Sequence, residues 1–220
     1  MITISKYEYL KTAQVFHWAT YEHYVVWITG ENKRHKRTEV MLPRLVKKGK
    51  LIPKKYGKRL IYTVPRRKYD TNYEHGLGCT EGLVRFVRSK PNGEIIAERH
   101  LRGFGIVPEW GIRYQNKKLL LFEFCTQDNF HRRGLIRSKI TRYQNNLLQL
   151  ETKFECEAIV LFVIEAPRID VQYFVDEVMP AGNQFFFTDY SVFKIVKLGD
   201  QFIDPVYIWG EDGFPYPLGG

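Results

Sequence analysis

Fifteen of the 36 residues from Lys33 to Lys68 are lysine or arginine, and Glu39 is the single acid among them. The ordinary fate of a charge run is a solvated surface. This one is interleaved with apolar residues at regular spacing, so it must fold with its cations turned outward. The excess is local: residues 1–68 carry 17 Lys+Arg against four Glu, a net of +13, while residues 69–220 carry 17 Lys+Arg against 20 Asp+Glu, a net of −3. The step falls at residues 66–72, where Pro65, Arg66, Arg67 and the polar Asp70-Thr71-Asn72 interrupt the pattern. Two unlike domains are therefore expected, residues 1–68 and residues 69–220. A cationic segment of this density is the electrostatic footprint of an anionic polymer partner.

Within the basic part, Ser5 is placed to cap a first helix running to Phe16, with Tyr9, Leu10, Ala13 and Phe16 on one face. A second helix fits Tyr21 to Thr29, stopped by Gly30. A third fits Arg37 to Lys48, with Val40, Met41, Leu45 and Val46 at helical spacing, Pro43 awkwardly inside it and Gly49 as its stop. Two strand-like runs follow, Leu51 to Pro53 and Leu60 to Val64, joined by the basic tip Lys54-Lys55-Tyr56-Gly57-Lys58-Arg59. Three helices and a basic hairpin are the order of a winged helix-turn-helix, whose third helix enters the major groove while the hairpin touches the backbone. Lys36, Arg37, Arg44, Lys47, Lys48, Lys54, Lys55, Lys58 and Arg59 are then the DNA-binding candidates. The expected partner is double-stranded DNA.

The remainder alternates helix and strand, giving a mixed α+β class. Tyr73 to Arg88 has a helical pattern, although Gly76, Gly78 and Gly82 weaken it. Strands are read at Glu94 to Arg102, Ile106 to Tyr114, Lys118 to Thr126 and Glu157 to Glu165. A long helix fits Arg132 to Glu151, followed later by a helix at Ile169 to Val178 and a strand at Gln184 to Phe187. The tail from Gly210, rich in Gly and Pro, is expected to lack regular structure.

Two carboxylates stand out. Glu109 follows Pro108, and Glu123 lies inside the apolar run Lys118 to Thr126, where a bare carboxylate is costly to bury without a partner. Neighbouring antiparallel strands bring two such acids together, and paired carboxylates are ligands for Mg²⁺ in phosphate chemistry. The alternative is that both are ordinary surface or edge residues.

Pro108-Glu109, thirteen intervening residues and Glu123-Phe124-Cys125 resemble the PD-(D/E)XK motif of a large nuclease superfamily. The whole chain resembles the replication-relaxation proteins of plasmids and mobile elements, in which a winged helix precedes a degenerate nuclease-like core. The segments that carry this likeness are LPRLVKKGKLIPK, His75, the PEW strand, LLLFEFCTQDN and Lys139 to Tyr143. The resemblance implies that Glu109 and Glu123 hold Mg²⁺ or Mn²⁺. Cys125 falls where the catalytic lysine is expected, and a thiol cannot stabilise phosphorane charge as an ammonium does. Lys139 on the following helix is then the candidate catalytic lysine, with Gln127 a weaker substitute and Glu81 an additional acid. Two functions follow. One is a metal-dependent DNA endonuclease or nickase. The other is a catalytically inactive replication or transfer accessory factor, or a transcriptional regulator, assembling with a second copy of itself or with replication and transfer proteins.

Other chemistries are poorly served. The three cysteines (Cys79, Cys125, Cys156) form no CxxC, no GxxxxGK[ST] or GxSxG occurs, and the six histidines show no HExxH. Tyr143 beside Arg142 and Lys139 would suit a tyrosine-nucleophile nickase, but the histidine cluster such enzymes use is missing. The N-terminus lacks the basic start and apolar stretch of a signal peptide, and no window reaches 18 consecutive apolar residues. A cytoplasmic protein with no membrane partner is expected.

Overall fold

The computed structural model describes residues 6–30, 33–67, 71–89, 93–96, 100–114, 117–178, 184–190, 206–209 and 215–218. They divide between Arg88 and Ser89 into two compact units. The charge step and the unit boundary therefore do not coincide, because the helix after the step belongs to the first unit. The expected cap Ser5 lies outside the described residues.

The first unit runs α1 (Lys6–Val15), β1 (Ala19–Thr20), α2 (Tyr21–Thr29), α3 (Lys36–Lys47), β2 (Ile52–Tyr56), β3 (Arg59–Thr63) and α4 (Tyr73–Ser89). Thr20 starts α2 with a reciprocal cap: its hydroxyl accepts from the His23 amide, and its own amide donates to His23 Nδ1. Gly30 ends α2 in the left-handed region at φ 79°. In α3 the buried stripe is Thr38, Leu42 and Leu45. Thr38 is fixed by Tyr9 Oη at 3.0 Å and His35 Nδ1 at 2.8 Å. This differs from the expected face, because Leu42 takes the inner position and Val40 is 46% exposed. Pro43 sits on the solvent side and the helix continues through it. A two-residue tip, Gly57-Lys58, closes the β2–β3 hairpin, and the unexpected β1 adds to β3 through Ala19↔Tyr62 and Thr20↔Ile61. The sheet order is β1-β3-β2.

Helix α4 explains one of its glycines. A Cβ on Gly76 would lie 2.7 Å from Trp18 Cδ1, and the Gly76 carbonyl accepts from the Trp18 amide. Thr80 and Thr63 hold the neighbouring His17 backbone, at 3.2 and 2.7 Å.

The second unit holds a seven-stranded sheet in the order β10-β9-β8-β7-β6-β5-β4. Its strands are β4 (Glu94–Ile96), β5 (Trp110–Arg113), β6 (Lys118–Cys125), β7 (Glu157–Ile164), β8 (Phe185–Asp189), β9 (Val206–Trp209) and β10 (Pro215–Leu218). β4, β5 and β6 are antiparallel neighbours, β6, β7 and β8 are parallel, and β9 and β10 return antiparallel. The parallel step from β6 to β7 needs a crossover. It is provided by α5 (Gln127–His131) and α6 (Arg133–Phe154), while α7 (Arg168–Val178) joins β7 to β8. β6 and β7 are buried along nearly their whole length, which is why both read as continuous apolar runs. Ile136, Ile140, Tyr143, Leu147 and Leu150 of α6 meet Leu119, Leu121 and Cys125 of β6 and Phe162 of β7 in one core.

Several expected boundaries move. Among the described residues the strand expected to reach Arg102 ends at Ile96, and Arg102–Phe104 forms a 3-10 turn. β5 begins at Trp110 rather than at Ile106. Helix α5 was not expected, nor was the strand pair β9–β10, which gives part of the Gly/Pro-rich tail regular structure. Among the described residues no helix is long and apolar enough to cross a membrane.

Candidate functional site

Side chains alternate along β6, so Leu119, Leu121, Glu123 and Cys125 share the face that meets α6, and Leu120, Phe122 and Phe124 share the other. Glu123 therefore occupies a core position, with its side chain 2% exposed. Two residues one turn apart on α6 satisfy it. The Tyr143 hydroxyl donates to Oε1 at 2.7 Å, and the Lys139 ammonium donates to Oε2 in an ion pair. Lys139 is 31% exposed, so its charge joins the buried carboxylate to the surface.

Glu109 stands just before β5, half-buried between buried Pro108 and Trp110. Its amide donates to the Phe122 carbonyl at 2.9 Å, against the peptide that leads into Glu123. The Trp110 ring stacks on Phe122 at 4.2 Å and locks this register. Lys139 is thus ion-paired with Glu123, and the charge of Glu109 acts on both.

Electrostatics bind the group into one unit. Burial raises the Glu123 carboxyl above its ordinary value, Lys139 pulls it back, and the negative charge of Glu109 raises it again. Burial alone would lower Lys139, but Glu123 and Glu109 outweigh it and the ammonium is held protonated. Tyr143 is raised well above its usual range by burial and then by Glu123. Its hydroxyl proton is committed to the Glu123 carboxylate. Cys125 is pushed up to about 12 by burial, which leaves a neutral thiol in the strand.

The other expected site residues divide. Gln127 is exposed at the first position of α5, because β6 ends at Cys125, so it does not share the strand face. Glu81 belongs to the first unit, where its Oε2 accepts from His23 Nε2 at 3.0 Å. His23 Nδ1 accepts from the Thr20 amide, which puts the ring proton on Nε2. This pair had no signal in the sequence. Tyr143 had one: it lies four residues after Lys139, on the face that α6 turns to the sheet.

Lys36, Arg37, Arg44 and Lys47 of α3, Lys48 at its end, and Lys54, Lys55, Lys58 and Arg59 of the hairpin are all exposed. Among the described residues none of the nine is in an ion pair, whereas Arg34 is paired with Glu39 at 2.6 Å. The result is a run of unneutralised cations on one helix and one hairpin. No protein-family model matches this chain, and neither does any curated protein or solved structure.

Proposed function

We propose that the chain binds double-stranded DNA through its first unit and cuts or nicks DNA, with Mg²⁺ or Mn²⁺, at the Glu109–Glu123–Lys139 cluster of its second. The DNA-binding reading is supported by the element order α1-β1-α2-α3-β2-β3 with β1 added to β3, which suits a winged helix. The nine exposed, unpaired cations on α3 and the hairpin suit phosphate contacts. The nuclease reading is supported by the order of three antiparallel strands, helices and a parallel strand within the second unit, with Glu109 just before β5 and Glu123 inside β6, in the manner of a PD-(D/E)XK core. A replication-relaxation protein of a plasmid or mobile element, acting in the cytoplasm, is the setting this reading implies.

One observation carries it: a carboxylate buried in the sheet, a lysine reaching it from α6, and a second carboxylate charge acting on both. The donor chemistry fits a hard divalent cation. Glu109 and Glu123 offer carboxylate oxygens, and each Glu123 oxygen keeps a lone pair beyond the one its donor uses. The cluster of two acids and one ammonium has a formal charge of −1, so it attracts a cation. Such an ion, when bound, polarises a phosphodiester and activates water. The chain's own residues do the rest: Tyr143 fixes the Glu123 carboxylate, and the Lys139 ammonium neutralises charge at the phosphate.

A second reading, a DNA-binding accessory factor or regulator without cleavage, is favoured by one feature. Both Glu123 oxygens already have donors within the chain, and Cys125 is a neutral thiol. Supercoiled plasmid incubated with Mn²⁺ separates the two. The first reading expects nicked or linear product that Glu123→Gln abolishes while DNA binding persists. Binding without product, with any divalent ion, leaves the second.

A further inference from the structure

We propose that Val40 is a base-reading residue and that it selects a thymine in the major groove. The inference rests on the DNA-binding reading of the first unit and adds a sequence preference to it. Helix α3 is anchored by Thr38, Leu42 and Leu45. At about 100° per residue, Val40 projects from nearly the opposite side of the helix. Lys36, Lys47, Arg44 and Arg37 are exposed around it on the same outward half.

A valine at that position is not explained by packing, since it is 46% exposed. Nor does helix propensity explain it, because a β-branched residue is a poor choice on a free helix surface. A single exposed apolar residue is ordinary on a protein surface. Here the placement is what matters. Among the described residues of the first unit, the large apolar side chains that stand exposed are Val40 and Leu60. They fall on α3 and on the hairpin, the two elements that carry the unpaired cations, and Leu60 lies directly across from Lys55. Each is an apolar spot inside a cationic frame.

The surface that such a frame fits is duplex DNA. The phosphates flank the groove, and on its floor the C5 methyl of thymine is the apolar feature that the other bases lack. An isopropyl group cannot hydrogen-bond to a base edge or a phosphate, so the gain available to Val40 is contact with that methyl. Arg37 and Arg44 bracket it along the helix, within reach of the flanking phosphates or of guanine O6 and N7.

The test uses the full chain. Binding sites are selected from a randomised duplex pool, and each thymine of the selected site is then replaced singly by deoxyuridine, which removes only the methyl group. One thymine is expected to cost the wild type about fourfold in affinity on losing its methyl. Val40→Ala is expected to bind the thymine and deoxyuridine sites equally. Because Val40 is exposed, this substitution leaves the α3 core untouched. Leu60→Ala serves as the comparator: it weakens binding while keeping the methyl sensitivity. The inference is overturned if Val40→Ala keeps the wild-type sensitivity. It is also overturned if DNA is bound with no selected sequence, although the DNA-binding reading then stands. Absence of DNA binding overturns both.

Discussion

The hydroxyl of Tyr143 donates to Oε1 of Glu123 at 2.7 Å, joining the middle of α6 to a carboxylate inside the central strand β6. With Lys139 on Oε2, one turn of helix supplies both partners of a group that could not otherwise be buried. Apolar alternation on β6 and helical spacing on α6 meet at this point. The polar cluster is thus built into the core of the second unit.

Removing the Tyr143 hydroxyl leaves one carboxylate oxygen without its donor. Tyr143→Phe is expected to lower stability by about 1–3 kcal/mol, read as a shift of the urea midpoint with unchanged slope. No shift would mean that the hydroxyl does not hold Glu123.

Lys139→Met strands a charge in the core, and the loss near neutral pH is expected to be about 3 kcal/mol. Adding Glu123→Gln to it should recover much of that loss, because the buried pair then holds no unpaired charge. Equal losses in the single and double variants would contradict a coupled pair.

The pH dependence has a definite sign. Glu123 binds its proton more tightly in the folded chain than at its ordinary value of 4.5, since burial outweighs Lys139. Above that ordinary value the folded state therefore holds more protons than the unfolded state, and stability falls with rising pH until the folded carboxyl has ionised. Glu123→Gln should flatten this part of the curve. A wild-type stability that rises across the same window would refute the assignment.

Gly76→Ala sets two effects against each other. Alanine favours a helix by about 1 kcal/mol, but its Cβ would lie 2.7 Å from Trp18 Cδ1. Overpacking of this kind costs about 1–3 kcal/mol, so a net loss in thermal stability is expected. A gain would mean that the Trp18 ring moves freely.

The sequence carried these features unevenly. The α3 and hairpin elements, and Glu123 as an anomaly in an apolar strand, were legible because period and local composition report them. The inner face of α3 was misread: Val40 and Leu42 are both apolar, and only the position of Tyr9 and His35 around Thr38 decides which turns inward. The start of β5 was not legible, since Ile106 is buried without being in a strand. The pairing of Pro215–Leu218 with Val206–Trp209 depends on a partner strand outside the tail segment. The His23–Glu81 pair joins residues 58 apart and has no local signature.

Cleavage needs a suitable DNA, but metal binding does not, so a Mn²⁺ titration followed by electron paramagnetic resonance tests the acid cluster most directly. A bound Mn²⁺ is expected in the wild type and is lost in Glu109→Ala, whose half-buried position makes it the milder of the two acid substitutions. A wild type that binds no Mn²⁺, or a Glu109→Ala variant that binds it as well as the wild type, would contradict a metal centre at Glu109 and Glu123.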